Sequence, residues 1–228
     1  MLIIKNEKIR LTLRYLIPLL LIPLTVWLGS SVFDAKRHIF VSLAVALLTI
    51  VLFVAGFERK SVGTRRMVIV AVMIALSVVG RFIPFFKPIT ALSVICAIYL
   101  GAESGFAVGA FSVLLSNFFF GQGPWTPFQM LAFGLIGFIS GILAPHLRKS
   151  RVLLIVFGGI CGVFYTLIMD VWTILWYDSS FDLKVYVAAF VTALPHTLLY
   201  TASNVVFLWL MAKPFGEKLA RIKKKYGI

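Results

Sequence analysis

Acidic residues are scarce in this chain. Eight Asp and Glu stand among 228 residues, and all charged residues together make up 13%, about half of the roughly 25% found in soluble domains. With 61% hydrophobic residues and a mean hydropathy of +1.03, the chain needs lipid as its solvent, which excludes an ordinary water-soluble domain. Cysteine is nearly missing too. Cys96 and Cys161 sit inside apolar runs without CxxC spacing or a neighbouring His, so they read as free core thiols and give no disulfide framework or metal site. HExxH, paired aspartates and a Ser/Lys dyad are all absent, and the titratable groups within apolar runs, Arg81, Asp170 and His196, lie at mismatched depths. Proton transfer or metal catalysis needs convergent groups, so an intramembrane enzyme is disfavoured, and no cofactor is expected. No linker, low-complexity segment or inverted pair of broken helices appears, which weighs against a conventional secondary transporter.

What is present is a series of long apolar runs. Backbone groups in hydrocarbon must pair internally, so these runs are helices. Eight are expected, at 11–28, 39–57, 67–82, 88–100, 105–120, 127–147, 152–176 and 185–211. The first follows a basic stretch, but interior Pro18 and Pro23 and the lack of a small-x-small site make it a retained helix and not a cleaved signal.

The formal net charge of +14 is concentrated. Of 22 Lys and Arg, 17 fall into four groups flanking the runs, around Lys5–Arg14, Arg59–Arg66, Arg148–Arg151 and Lys213–Lys225. None is interleaved with aromatic residues as base-stacking surfaces are, so no nucleic-acid partner is expected. Cytoplasmic loops collect such residues and anionic lipid attracts them, so the groups report topology. The short run 88–100, only about 20 Å as a helix, is counted as a crossing by parity. With eight crossings every group and both termini fall on the cytoplasmic side, and only Lys36, Arg37, Arg81, Lys87 and Lys184 remain outside.

Polar groups within a membrane are costly, so their depth is informative. Measured from the cytoplasmic end of its run, Arg81 lies about 20 Å up, Asn117 about 18 Å and Asp170 about 27 Å. Gln129 enters from outside just after Pro127 and joins them. All belong to the outer half, whereas a channel should show a polar stripe through the full thickness. Asp170 either pairs with Arg81 or contacts a ligand. His196, after Pro195 near mid-depth, is read first as a hydrogen-bonded core histidine or kink partner, with proton relay or metal ligation as the other reading. Segment 117–129, NFFFGQGPWTPFQ, joins Gly121 and Gly123 to Pro124 and Pro127 and presents Trp125. It is either a plain helical hairpin turn or a stiff aromatic, amide-rich lid over a polar patch, suited to a flat organic ligand. Ala71 and Ala75 form an AxxxA face, and Gly137 and Gly141 a GxxxG pair, spacings that let helix backbones approach closely.

From 67 to 211 the chain resembles the six-helix S-components of energy-coupling-factor (ECF) importers. The resemblance rests on the opening RRMVIVAVMIAL with its AxxxA face, the short turn LGAESG at 100–105 and the segment NFFFGQGPWTPFQM. It implies an all-α transmembrane six-helix bundle at 61–228 in a bacterial plasma membrane, preceded by an N-terminal two-helix hairpin at 1–60 that the family pattern lacks. It also implies the substrate-binding subunit of a vitamin importer, partnered by a transmembrane coupling subunit and two cytoplasmic ATPases that hydrolyse the ATP. In that family the alanine face, here Ala71 and Ala75, docks the coupling subunit. The pocket lies between the loops after the first and third core helices and the fourth to sixth helices, here including Lys87, Gln122, Trp125, Gln129, Asp170 and His196, beside Arg81 and Asn117. The GPWTPFQM segment is similar to branches associated with cobalamin or corrinoid pieces, and an amide-rich ligand suits Asn117, Gln122 and Gln129. Another vitamin or a nucleobase-like precursor stands behind that expectation.

Overall fold

The computed structural model describes residues 6–32, 38–56, 60–83, 88–177 and 182–226. Among the described residues every regular element is a helix: α1 (Glu7–Leu16), a π-helical turn (Ile17–Leu21), α2 (Ile22–Val32), α3 (His38–Ala55), α4 (Lys60–Gly80), α5 (Pro88–Leu100), α6 (Ala102–Phe120), α7 (Thr126–Ile142), α8 (Ala144–Leu147), α9 (Arg151–Tyr177) and α10 (Leu183–Tyr226). Asn6 starts the first rod, its side-chain oxygen accepting from the backbone N–H groups of Lys8 at 3.0 Å and Ile9 at 3.3 Å. Pro18 then removes a helical donor, and the backbone widens into the π turn before continuing as α2. The first apolar run is therefore one continuous rod with a π turn inside it. Six helical runs are long and apolar enough to cross a membrane, while α5 and α7 are apolar but shorter, at 13 and 17 residues. The protein is a multi-pass membrane protein whose eight-span expectation rests on those two short helices.

The shortness of α5 organises the bundle. Every residue of α5 except Tyr99 is buried, among α4, α6, α7 and α10. Thirteen residues rise about 20 Å, against roughly 30 Å of bilayer hydrocarbon. At its Leu100 end α5 passes through Gly101 straight into α6, with Gly101 at φ +100°, a conformation open to glycine. The missing length therefore falls at the Pro88 end.

Beside α5, α6 and α7 make the closest contact of the fold. A Cβ added to Gly105 would meet the Gly137 carbonyl, one added to Gly137 would meet the Gly105 carbonyl, and Gly141 lies on Ala102. The GxxxG pair thus serves packing inside the subunit.

The N-terminal hairpin packs on the outer surface of this pair, with α3 against α6 and α7 and Tyr15 edge-on to Phe138 at 6.1 Å. A buried carboxylate secures it. Glu103, 2% exposed, pairs with Arg14 of α1 and with Arg66 of α4. Arg66 also donates to Ser104 Oγ at 2.6 Å and to the Gly56 carbonyl at 3.2 Å, so hairpin and core share one charge network.

The last helix departs from expectation. Its run was expected to end near 211, yet α10 continues to Tyr226. Phe215, Leu219 and Ile222 recur at helical spacing, Gly216 and Leu219 are buried, and Lys223 Nζ donates to the Tyr99 carbonyl at 3.2 Å. The basic tail therefore folds against the Leu100 end of α5, an end it shares with Arg14, Arg66, Arg148 and Arg151.

Candidate substrate-binding site

At the opposite end, helix termini bring four polar side chains together. Arg81 follows α4, Asn117 closes the last turn of α6, Thr126 opens α7 and Gln129 lies one turn further on. The chain can turn sharply between them because Gly121 adopts φ +105° directly after α6. Arg81 Nη1 donates to Ser116 Oγ at 2.6 Å and to Asn117 Oδ1 at 2.7 Å. Asn117 Nδ2 donates to Thr126 Oγ1 at 3.0 Å and to Gln129 Oε1 at 2.9 Å, and Gln129 Nε2 passes the chain to Tyr165 Oη at 3.1 Å. Asn117, 1% exposed, is thus the hub of a relay from α4 to α9. A buried network this complete fixes its members' geometry.

The relay ends on an aromatic ladder. Tyr165 stacks on Tyr200 of α10 with centroids 4.8 Å apart and planes at 9°, and meets Phe133 of α7 at 4.6 Å. Arg81, Ile89, Gln129, Phe133 and Tyr200 enclose a small cavity with free room of about 10 Å³. Ile89 is the second residue of α5, so the cavity occupies the level that the short helix leaves unfilled. As it stands the gap has room for about one water; its guanidinium, amide and two aromatic side chains are the groups that would grip a flat polar ring once the walls part, the rings supplying faces and the polar groups fixing orientation.

The other expected residues distribute unevenly. Gln122 belongs to the lid, but both ends of its amide are engaged: Nε2 donates to the Leu114 carbonyl at 2.8 Å and Oε1 accepts from Thr126 at 3.0 Å. Trp125 meets Trp172 edge-to-face at 5.8 Å, and Trp172 stacks on Trp176 at 6.3 Å, so the lid tryptophan continues an aromatic row along α9. Trp172 and Trp176 border a second cavity of about 40 Å³ that Val26 and His38 of the N-terminal hairpin also line.

Asp170 does not pair with Arg81. It lies one turn beyond Thr166, whose hydroxyl meets that of Thr197 across α9 and α10 at 2.8 Å, and so belongs to a different face of α9 from Tyr165. It is 6% exposed, and its Oδ2 accepts no hydrogen bond among the described residues. His196 is exposed and not a core histidine, with its ring 4.7 Å from Tyr200. Lys87 lies outside the described residues. Ser116, Thr126, Phe133, Tyr165 and Tyr200 were not anticipated; Thr126 stood within the singled-out segment, and Tyr165 and Tyr200 are tyrosines well inside apolar runs.

On α4, Ala71 and Ala75 are exposed, together with Val68, Val72 and Val79. The hairpin packs elsewhere and leaves this face open.

A family model described as ECF-type riboflavin transporter, S component, matches residues 61–221, starting directly after the expected hairpin. No curated protein and no solved structure matches the chain.

Proposed function

Because this chain belongs to the family of ECF-type riboflavin transporter S components, and so is the substrate-binding subunit of a vitamin importer, we propose that it captures a flavin-sized, flat heteroaromatic molecule in the cavity above α5. Membership also implies association with a transmembrane coupling subunit and ATPase subunits. In this reading ATP is hydrolysed on those partners, and all eight helical runs cross the membrane. The basic end with both termini is cytoplasmic, so the relay end opens outward.

The observation that carries the reading is the polar and aromatic lining that Arg81, Gln129, Phe133 and Tyr200 place around one small gap. Its free room is about 10 Å³, far below the roughly 300–1,000 Å³ of ligand pockets, so binding requires the surrounding helix ends to part, and a thin fused ring demands less of that than a corrinoid. Arg81 has guanidinium N–H groups beyond the one spent on Ser116 and Asn117, available to ring carbonyls and nitrogens. His196 borders the Tyr165–Tyr200 stack through Tyr200, Asp170 stands on another face of α9 and enters this reading only as a carboxylate near the same level, and Trp125 and Gln122 shape the lid. Lys87 joins the outer rim in this proposal. Ala71 and Ala75 are the proposed docking face for the coupling subunit, and residues 1–60 a hairpin appended to the 61–228 core. A corrinoid piece is the second reading, favoured by the amides of Asn117, Gln122 and Gln129. Against it, Asn117 and Gln122 direct their polar atoms to the protein itself.

Identification of the bound ligand tests this. The purified protein, denatured and extracted, should release a flavin recognisable by fluorescence and mass, and the emptied protein should take up riboflavin with quenching of its tryptophans. A released corrinoid, or no quenching by riboflavin, refutes the flavin reading while leaving family membership intact.

A further inference from the structure

The basic end holds a cavity that substrate capture does not use. It measures about 220 Å³ and lies where α5, the start of α9 and the middle of α10 meet, between Ile98, Tyr99, Arg148, Arg151, Leu154 and Lys213. Its charge is of one sign. Arg148 lies over the Tyr99 ring at 5.0 Å, and Arg151 Nη2 donates to the Trp209 carbonyl at 2.5 Å, so both guanidinium groups are held in place while most of their N–H donors stay uncommitted. Lys213 has no ion pair or hydrogen bond among the described residues, and no carboxylate lines the cavity. Glu217, one turn along α10, makes no ion pair with Lys213.

The cavity is also layered. Leu154 lies one turn deeper than Arg151, and Ile98 faces the same space from α5. Beside them the exposed surface of α9 continues apolar through Val152, Leu153 and Val156. A bare phosphate ion would leave most of this volume and all of its apolar wall without a partner. An acidic protein segment would leave the apolar wall facing charge. One class of molecule carries a phosphate joined to hydrocarbon and is present at this depth in every membrane.

We propose that this cavity is a headgroup site for one anionic phospholipid, its phosphodiester held by Arg148, Arg151 and Lys213 and its acyl chains lying along Ile98 and Leu154. Charge complementarity and the polar-to-apolar layering select this occupant. The lipid fills the gap between α5, α9 and α10 and ties the three helices together at the end away from the substrate cavity.

Native mass spectrometry of the full-length protein in detergent tests the site, with dioleoylphosphatidylglycerol and dioleoylphosphatidylcholine as chain-matched probes. One phosphatidylglycerol should bind with at least tenfold preference over phosphatidylcholine. Each cation near a lipid phosphate is worth roughly fivefold, so R148Q/K213Q should remove most of that preference, and the exposed single change Lys213→Gln should lower it several-fold without risk to folding. K224Q/K225Q removes two lysines that do not line the cavity and should leave the preference unchanged. Equal binding of the two lipids, a preference that survives R148Q/K213Q, or an equal loss in K224Q/K225Q overturns the proposal. So does displacement of phosphatidylglycerol by an equimolar amount of glycerol 3-phosphate, which would make this a site for a soluble anion.

Discussion

Asn117→Leu removes the hub of the relay while keeping its volume. Three hydrogen bonds go: one from the Arg81 guanidinium, one to Thr126 and one to Gln129. Interhelical hydrogen bonds in membrane proteins average about 0.6 kcal/mol and reach about 1.7, while bonds to charged groups run to roughly 1.5–3. The three together are worth about 2–4 kcal/mol, enough to lower the unfolding temperature by several degrees without abolishing the fold. Binding should suffer on separate grounds. Gln129 loses the acceptor role that fixes its amide and keeps only Tyr165, and Arg81 keeps only Ser116, so both must be ordered by the ligand itself. A cost of about 1.4–2.8 kcal/mol corresponds to a ten- to hundredfold weaker affinity. Tryptophan quenching on titration with riboflavin measures this beside thermal unfolding in detergent. Gln129→Leu completes a double-mutant cycle: because Asn117 acts on the ligand through Gln129, the double variant should bind little worse than the weaker single. Additive losses, or wild-type affinity in Asn117→Leu, would refute the relay.

Two other outcomes follow from the far end and the outer face. Leu at both Ala71 and Ala75 should abolish uptake in cells that also carry the coupling subunit and ATPases, with purified-protein affinity unchanged, because both positions are exposed and remote from the relay; normal uptake would remove α4 as the docking face. Glu103→Gln leaves Arg66 buried without its counter-charge, a loss of roughly 3–5 kcal/mol for a buried pair. Hydrogen exchange should then rise first in α1 and α3, and unchanged exchange there would mean that packing alone holds the hairpin.

Depth was legible in the amino-acid sequence, whereas azimuth was not. Counting residues along each run put Arg81, Asn117 and Gln129 at one level, and they do join in one network. The same count put Asp170 nearby and made it a partner for Arg81. Five residues separate Asp170 from Tyr165, which is roughly 140° around the helix, so the carboxylate turns toward α10 while Tyr165 faces the relay. Which face of a membrane helix meets its neighbours depends on packing, and apolar faces toward lipid and toward protein look alike in composition. The tyrosines escaped notice for a related reason. A phenol barely disturbs a hydropathy profile, yet Tyr165 and Tyr200 supply both a relay terminus and a wall of the cavity. The start and end of α5 were readable because Pro88 and Gly101 punctuate them, and the end of α10 was not, because Pro214 and a run of lysines imitate a stop.

The length of α5 links these observations. A longer helix in its place would fill the bundle beyond Pro88, and Arg81, Gln129, Phe133 and Tyr200 would then close on side chains instead of on a small gap. A helix of thirteen residues, all but Tyr99 buried, leaves a small gap at its Pro88 end where its longer neighbours continue. The glycine contact between α6 and α7 and the charge network at Glu103 hold those neighbours together without entering the site. The polar relay then has one structural task, which is to hold three helix ends in register with the middle of α9. Its hydrogen bonds are mostly satisfied within the protein, and that is compatible with ligand capture because Arg81 retains donors that its two acceptors do not use.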